Sequence, residues 1–220
     1  MQDKHRSISL QAVKRMPYYL QCLKEAKSKG MKTVASTQIS EYLQLNEVQV
    51  RKDLSAVCTT RGRPKMGFLV DELIANMEEF LGYNRVEDVV VVGTGSLGRA
   101  LLSNSSINEC GFNIVAAFDN NPKVINKEIN GIPVLPVNKL SDLCRRMNIK
   151  IGVIAVPSSQ AQIVCDQLVA GGVRAIWSFS QVHLFTPDNV IVKNENLAAS
   201  LTELSKQLQR KIYEENEVVK

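Results

Sequence analysis

The residues that carry the most chemistry are Gly93-Thr94-Gly95-Ser96-Leu97-Gly98, set between the apolar run Val89 to Val92 and a helix that opens near Ser96. In that setting each glycine has its own task. Gly93 permits a tight turn, Gly95 removes the side chain that would block a pyrophosphate, and Gly98 lets the helix lie close on the strand. Phosphates then meet the unpaired N–H groups at the helix opening. A bare glycine pattern says little, but strand before and helix after is the context the mechanism demands. Asp119, with Asn120 beside it, ends the next apolar run about twenty residues on, where a carboxylate accepts from both ribose hydroxyls. That carboxylate would repel a 2′-phosphate, so the expected ligand is NAD(H) rather than NADP(H). The bland alternative is a structural turn beside a solvated aspartate.

A second constellation lies nearer the amino end. Asn46 can cap a helix from Glu47 to about Val57 that carries Gln49, Arg51, Lys52 and Ser55, with Val48, Leu54 and Val57 as inward candidates. Arg pairs bidentately with guanine and Gln with adenine in a major groove. Lys52, Arg61, Arg63 and Lys65 suit phosphates or a narrow minor groove. The alternative is an exposed charged helix without a partner. The basic stretch Thr59 to Gly67 behind it favours the nucleic-acid reading.

Catalytic groups are sparse. A dehydrogenase needs a general acid or base near the nicotinamide. The only histidine after the glycine motif is His183, beside Leu184 and Phe185, and no Tyr-x-x-x-Lys stands in for it. The expectation is a domain that binds a redox cofactor without a reaction to perform. The competing readings are an NAD-dependent oxidoreductase with an incidental basic head and a CoA-binding nucleotide module.

The elements that position these residues follow from pattern and composition. The chain has 220 residues, 45% of them hydrophobic, enough for two small cores. Residues 1–65 hold 13 Lys and Arg against 5 Asp and Glu, whereas residues 66–220 hold 14 against 17. A basic head on a mildly acidic body suits a phosphate-seeking module joined to a sensor. Cys22, Cys58, Cys110, Cys144 and Cys165 are scattered and odd in number, so packed thiols are expected rather than disulfides or a metal site. The polar start behind Met1 and the shortness of the apolar runs point to a soluble, cytoplasmic protein without a membrane partner.

Residues 1–80 read as a small helical module. Pro17 opens the first helix, Gly30 stops it, and Ser36 or Thr37 caps a short second helix, Gln38 to Leu43. After the third helix comes a basic turn and a short strand, Phe68 to Val70, which completes a winged helix-turn-helix. Residues 81–87 read as a connection. Residues 85–193 alternate strands (Val89–Val92, Ile114–Phe118, Ile132–Leu135, Ile151–Val156 and Arg174–Trp177) with helices (near Ser96, Val137–Met147 and Ser158–Ala170). That alternation predicts an α/β, doubly wound parallel sheet of Rossmann type. Residues 195–214 form a last helix with a narrow stripe, Leu197, Leu201, Leu204, Leu208 and Ile212, that needs a partner surface.

Taken together, Gln49 to Ser55, Gly93 to Leu102, Ala116 to Asp119, Gly131 to Val134, Ala155 to Pro157 and the C-terminal leucine helix resemble the Rex family of redox-sensing repressors, in that family's order over nearly the whole chain. The resemblance implies a homodimer that binds operator DNA with NAD⁺ or no ligand and leaves it with NADH. It implies that the C-terminal helix is domain-swapped, inserting between the two domains of the partner. It also implies a nicotinamide pocket lined by Val156, Pro157, Ser178 and Phe179, with Leu197 approaching from the other subunit. The chain departs from the family pattern in places. The wing lacks a Phe-Gly-rich run and is more basic. Arg15 matches a family switch residue, but Asn104 and Asn196 stand where a tyrosine and an aspartate are usual, and Ser178 replaces an asparagine. Neutral asparagines cannot reproduce a charge-assisted contact to an arginine, so a weakened or altered preference between NADH and NAD⁺ is expected.

Overall fold

A computed structural model describes residues 8–58 and 67–218, with the backbone alone for Leu197 and residues 215–218. It divides into two units, Met1–Arg85 and Val86–Lys220.

In the first unit, helix α1 (Leu10–Ser28) opens at Ser9, whose hydroxyl accepts from the Ala12 N–H at 3.2 Å. Pro17, expected to open this helix, instead lies in its interior. Proline there removes one intrahelical bond, the one to the carbonyl four residues back. The helix continues through it because Met16, Tyr19, Leu20 and Leu23 are all buried. Strand β1 (Thr33–Val34) leads to α2 (Ser36–Leu43). Neither Ser36 nor Thr37 caps α2 as expected: the cap position is Ala35, whose N–H donates to Gln38 Oε1 at 2.8 Å. Gln44, at φ 51°, turns the chain into α3 (Glu47–Val57).

Asn46 caps α3 as the sequence indicates, accepting from the Val48 and Gln49 N–H groups at 2.9 and 3.2 Å. Val50, Leu54 and Val57 face inward, whereas Val48, expected in the core, is exposed. Strand β2 (Phe68–Leu69) pairs antiparallel with β1, Thr33 opposite Leu69 and Val34 opposite Phe68. Val70, expected to end a strand, instead begins helix α4 (Val70–Leu81), which Gly82 stops at φ 77°. The core of this unit joins Met16, Tyr19, Leu23, Ile39, Val50, Leu54, Leu73 and Met77.

The second unit starts with β3 (Glu87–Val92), then α5 (Ser96–Leu102), α6 (Ser105–Glu109), β4 (Phe112–Asp119), β5 (Glu128–Ile129) and β6 (Ile132–Pro136). A 3₁₀ turn (Val137–Lys139) and α7 (Leu140–Arg146) replace the single helix expected over 137–147. Then come β7 (Ile151–Ile154), α8 (Ser158–Ala170), β8 (Ala175–Ser178), β9 (Ile191–Asn194) and α9 (Leu197–Val218).

The sheet order is β5-β6-β4-β3-β7-β8-β9. All neighbours are parallel except β5 with β6. Successive valines of β3 divide between two cores, as a strand covered on both faces requires. Val90 and Val92 pack with Leu140, Cys144, Cys165 and Leu168, and Val89 and Val91 with Leu101, Leu102 and Ile114. Leu201, Leu204, Leu208 and Ile212 of α9 are exposed, between 48% and 67%. Among the described residues no helix is long and apolar enough to cross a membrane.

Candidate functional site

The central strand β3 has β4 on one side and β7 on the other. The chain leaves β3 first toward β4 and later returns to its opposite edge, so the carboxyl end of β3 is a topological switch point. A crevice for a ligand is expected outside the strand ends at such a point. Parallel pairing puts the residues at and just beyond the carboxyl ends of β3, β4, β7 and β8 along one edge: the glycine turn, Asp119 and Asn120, Val156 and Pro157, and Ser178 and Phe179. Hydrogen bonds continue the ladder into this edge, from the Gly93 N–H to the Phe118 carbonyl (2.8 Å), from Ala155 to Val92 (2.8 Å) and from Phe179 to Ile154 (2.9 Å).

The turn itself admits little variation. Gly93 has φ 99°, and an added Cβ would lie 2.4 Å from the Ala155 carbonyl oxygen. At Gly98 an added Cβ would lie 1.9 Å from the Gly93 carbonyl oxygen, which accounts for the close approach of α5 to the turn. Gly95 differs: among the described residues, an added Cβ would meet nothing within 4 Å. No contact within the described chain requires glycine there, so its bareness opens the edge to a group from outside. Ser96 is also exposed and Leu97 is half-buried.

Thr94 is buried and turned toward β4. Its N–H and hydroxyl donate to Asp119 Oδ2 at 2.7 and 2.5 Å, while the Asn121 N–H donates to Oδ1 at 2.9 Å. Burial alone would raise the Asp119 pKa, but the hydroxyl and three backbone N–H groups outweigh it and hold the carboxyl below its ordinary value. Asp119 is therefore an ionised acceptor fixed in place at the strand end. Ser178 is fully buried, its hydroxyl accepting from the Ser180 N–H at 3.2 Å, and Phe179 packs at 4.6 Å against Trp177. These residues suit a dinucleotide: an unobstructed glycine turn, a pre-ionised carboxylate and an apolar flank. The Leu197 side chain, expected to complete the pocket, lies outside the described residues.

In the first unit, Gln49, Arg51, Lys52 and Ser55 share the exposed side of α3. Arg51 is ion-paired with Glu47 one turn back. Arg51, Lys52 and Ser55 border a hollow of about 410 Å³ that Ser9 and Ala12 also line. Arg61, Arg63 and Lys65 lie outside the described residues. In sequence, Asp53 is only one more member of the α3 run. In the structure it is buried, and it accepts from Arg15, Tyr19 and Gln49. A carboxylate on the inner side of a helix that carries so many exposed polar groups is not visible from spacing alone.

The departures noted in sequence have local tasks. Asn104 caps α6, accepting from the Ser106 N–H at 3.1 Å, and Asn196 accepts from the Ala199 N–H at 3.0 Å in the first turn of α9. Arg15 is paired with Asp53 within its own unit. His183 is exposed, edge-on to Phe185. All five cysteines are free, with Cys22, Cys144 and Cys165 buried.

Two family models match separate parts of the chain: a putative DNA-binding protein N-terminus over residues 7–55 and a CoA binding domain over residues 84–182. Whole-length relatives join them. A redox-sensing transcriptional repressor Rex from Bacteroides fragilis is 40% identical over 189 residues, 86% of each chain. The chain belongs to the Rex family. A Rex from Clostridium beijerinckii is 35% identical over 92% of this chain and 95% of its own. Among solved structures, RSP, a Rex-family repressor, is 30% identical; in complex with β-NAD⁺ and operator DNA it matches with a TM-score of 0.86 over 96% of this chain and 98% of its own. The complex of RSP with β-NADH matches with a TM-score of 0.82 over 96% and 99%.

Proposed function

We propose that this Rex-family chain is a cytoplasmic, homodimeric repressor that binds operator DNA and answers to the balance of NADH and NAD⁺, without catalysing a reaction. One observation carries the reading. A single chain holds an unobstructed glycine turn facing an ionised carboxylate in one unit, and an exposed row of base-reading side chain types in the other. RSP, similar over nearly the whole length, forms complexes with β-NADH and with β-NAD⁺ on operator DNA, which supports both halves of the proposal.

On this reading Gly93, Thr94, Gly95, Ser96, Leu97 and Gly98 receive the pyrophosphate, and Asp119 with Asn120 receives the adenine-side ribose. Val156, Pro157, Ser178 and Phe179 flank the nicotinamide, which the partner subunit's Leu197 approaches. Asn46, Gln49, Arg51, Lys52, Ser55, Arg61, Arg63 and Lys65 contact DNA. Two apolar surfaces support the dimer: the exposed stripe of α9, and a hollow of about 500 Å³ against the sheet, bordered by Ile107, Phe112, Ile151 and Trp177. Exposed apolar patches of this kind mark interaction sites. We take α9 to be exchanged between subunits. An oxidoreductase would need a proton-transfer group at the sheet edge, and exposed His183 against Phe185 is a poor one.

The test is a gel shift on DNA from upstream of the chain's own gene, with NAD⁺ and NADH titrated separately. NADH should release the DNA at lower concentration than NAD⁺. Equal retention with either nucleotide would overturn the redox reading. Arg51→Ala should lose operator preference while keeping most of its binding to random DNA.

A further inference from the structure

Gln49 is a side chain whose two ends look alike in shape and opposite in chemistry. Its amide offers an acceptor oxygen at one end and two N–H donors at the other, and a half-turn exchanges them. On an exposed helix face that half-turn is ordinarily free. In this chain it is not. Gln49 Nε2 donates to Asp53 Oδ1 at 2.8 Å, one helical turn along α3. Asp53 is only 4% exposed and, as a carboxylate, accepts without donating. Its other oxygen, Oδ2, takes the Arg15 Nε and Nη2 at 2.8 Å each and the Tyr19 hydroxyl at 2.8 Å. Arg15 Nε also reaches the Tyr19 oxygen at 3.2 Å. Tyr19 is fully buried, so the carboxylate is anchored to α1 and cannot turn away to follow Gln49.

We infer that Asp53 is a positioning residue for sequence reading: it fixes the amide of Gln49 so that Oε1 and one remaining N–H face outward in a set order. The inference rests on the operator-binding reading and deepens it. Adenine shows a major-groove edge of one donor and one acceptor, and guanine shows two acceptors. An amide of fixed order matches the adenine edge with one acceptor and one donor. An amide free to turn, or to lend both N–H groups, loses part of that distinction. Asp53 thus acts on base choice without touching a base. Asp53→Asn is the informative change, because Arg15 and Tyr19 hold the amide oxygen on their side and leave its N–H2 facing Gln49, which must then turn Oε1 inward and show both its N–H groups outward.

The experiment measures binding of the full-length chain to its operator and to a set of operators with each base pair of one half-site replaced. Gln49→Ala should relax discrimination at one or two adjacent positions by roughly tenfold. Asp53→Asn should relax the same positions and no others, with binding to random DNA held, and the double variant should lose nothing further. Asp53→Glu, which restores an acceptor-only group, should recover part of the discrimination. If Asp53→Asn weakens all operators by one common factor, or leaves the Gln49 positions as selective as before, the inference fails. A wild-type chain without preference for any sequence over random DNA would overturn the repressor reading as well, so the two failures are distinct. Nuclear magnetic resonance of the free wild-type chain provides a check that does not depend on how the variants fold. One Gln49 side-chain N–H should exchange slowly with solvent, and rapid exchange of both would overturn the inference.

Discussion

The hydroxyl and backbone N–H of Thr94 both close on one oxygen of Asp119, at 2.5 and 2.7 Å, and so staple the glycine turn after β3 to the end of β4. Thr94→Val keeps the shape and removes the hydroxyl. A hydrogen bond to a charged group is worth about 1.5–3 kcal/mol. NADH affinity, measured by calorimetry, should therefore fall by roughly tenfold or more. Because the Asp119 carboxyl is held below its ordinary value, its contacts persist above that value and are lost only as pH falls through the lowered one. Wild-type affinity should be level between roughly pH 5 and pH 8 as far as this group is concerned. A fall in affinity traced to Asp119 within that window would contradict this account.

Nucleotide preference is a second point of test. Asn104 and Asn196 are spent on helix starts, and neither carries charge. NADH should exceed NAD⁺ in affinity by less than about a hundredfold, or about 2.8 kcal/mol, when both are titrated calorimetrically. Asn196→Asp should sharpen the preference at no cost to melting temperature, because aspartate caps a helix as well as asparagine does. A ratio well beyond a hundredfold in the wild type would sink the prediction.

Assembly should depend on α9. Leu204 and Leu208 are 60% and 58% exposed on a helix whose other face is polar. If the chain dimerises as proposed, Leu204→Asp should give a monomer in sedimentation velocity and abolish operator binding, while the circular dichroism of the sheet unit is retained. A dimer that survives Leu204→Asp together with Leu208→Asp would exclude α9 from the interface.

The buried cluster in the first unit has a spectroscopic signature. Burial, joined by the hydrogen bond to Asp53 and opposed by Arg15, pushes the Tyr19 phenol up to about 12. A raised value favours the neutral phenol in the folded state. Its contribution is therefore complete below the ordinary value of 10.0 and lost as pH rises toward about 12. Ultraviolet titration should show a late tyrosinate step among the 5 tyrosines, absent in Tyr19→Phe. Arg15→Ala should cost about 3 kcal/mol in denaturant unfolding, because it leaves a buried carboxylate without its cation. Simultaneous ionisation of all tyrosines near pH 10 would refute this picture of the cluster.

Much of the sheet unit was legible because its signals are local. Val89 to Val92 is a run apolar on both faces, and the glycines at 93, 95 and 98 follow at once. What escaped had weaker or competing local marks. Strand β9 has two apolar residues, Ile191 and Val192, before Lys193, too few to separate an edge strand from a loop. Helix α4 was hidden because Phe68, Leu69 and Val70 read as one extended run, whereas the pairing with β1 stops at Leu69. Pro17 misled because proline favours helix starts, and tertiary burial of Met16 and Tyr19 overrode that preference. In the site, Asp119 stands out by its distance from the glycines, but its capture by Thr94 does not. The partners of Asp53 were legible only in part. Gln49 is one turn away, whereas Arg15 lies 38 residues back and is brought near only by the packing of α1.

The exposed leucines of α9 also bear on gene dosage. On the proposed dimer, a helix that dries its stripe only in company would give the polypeptide a minimum working abundance. Below the subunit dissociation constant a cell would hold copies that fold their sheet yet cannot grip two half-sites, and control of the operator would fade steeply with dilution rather than in proportion to it.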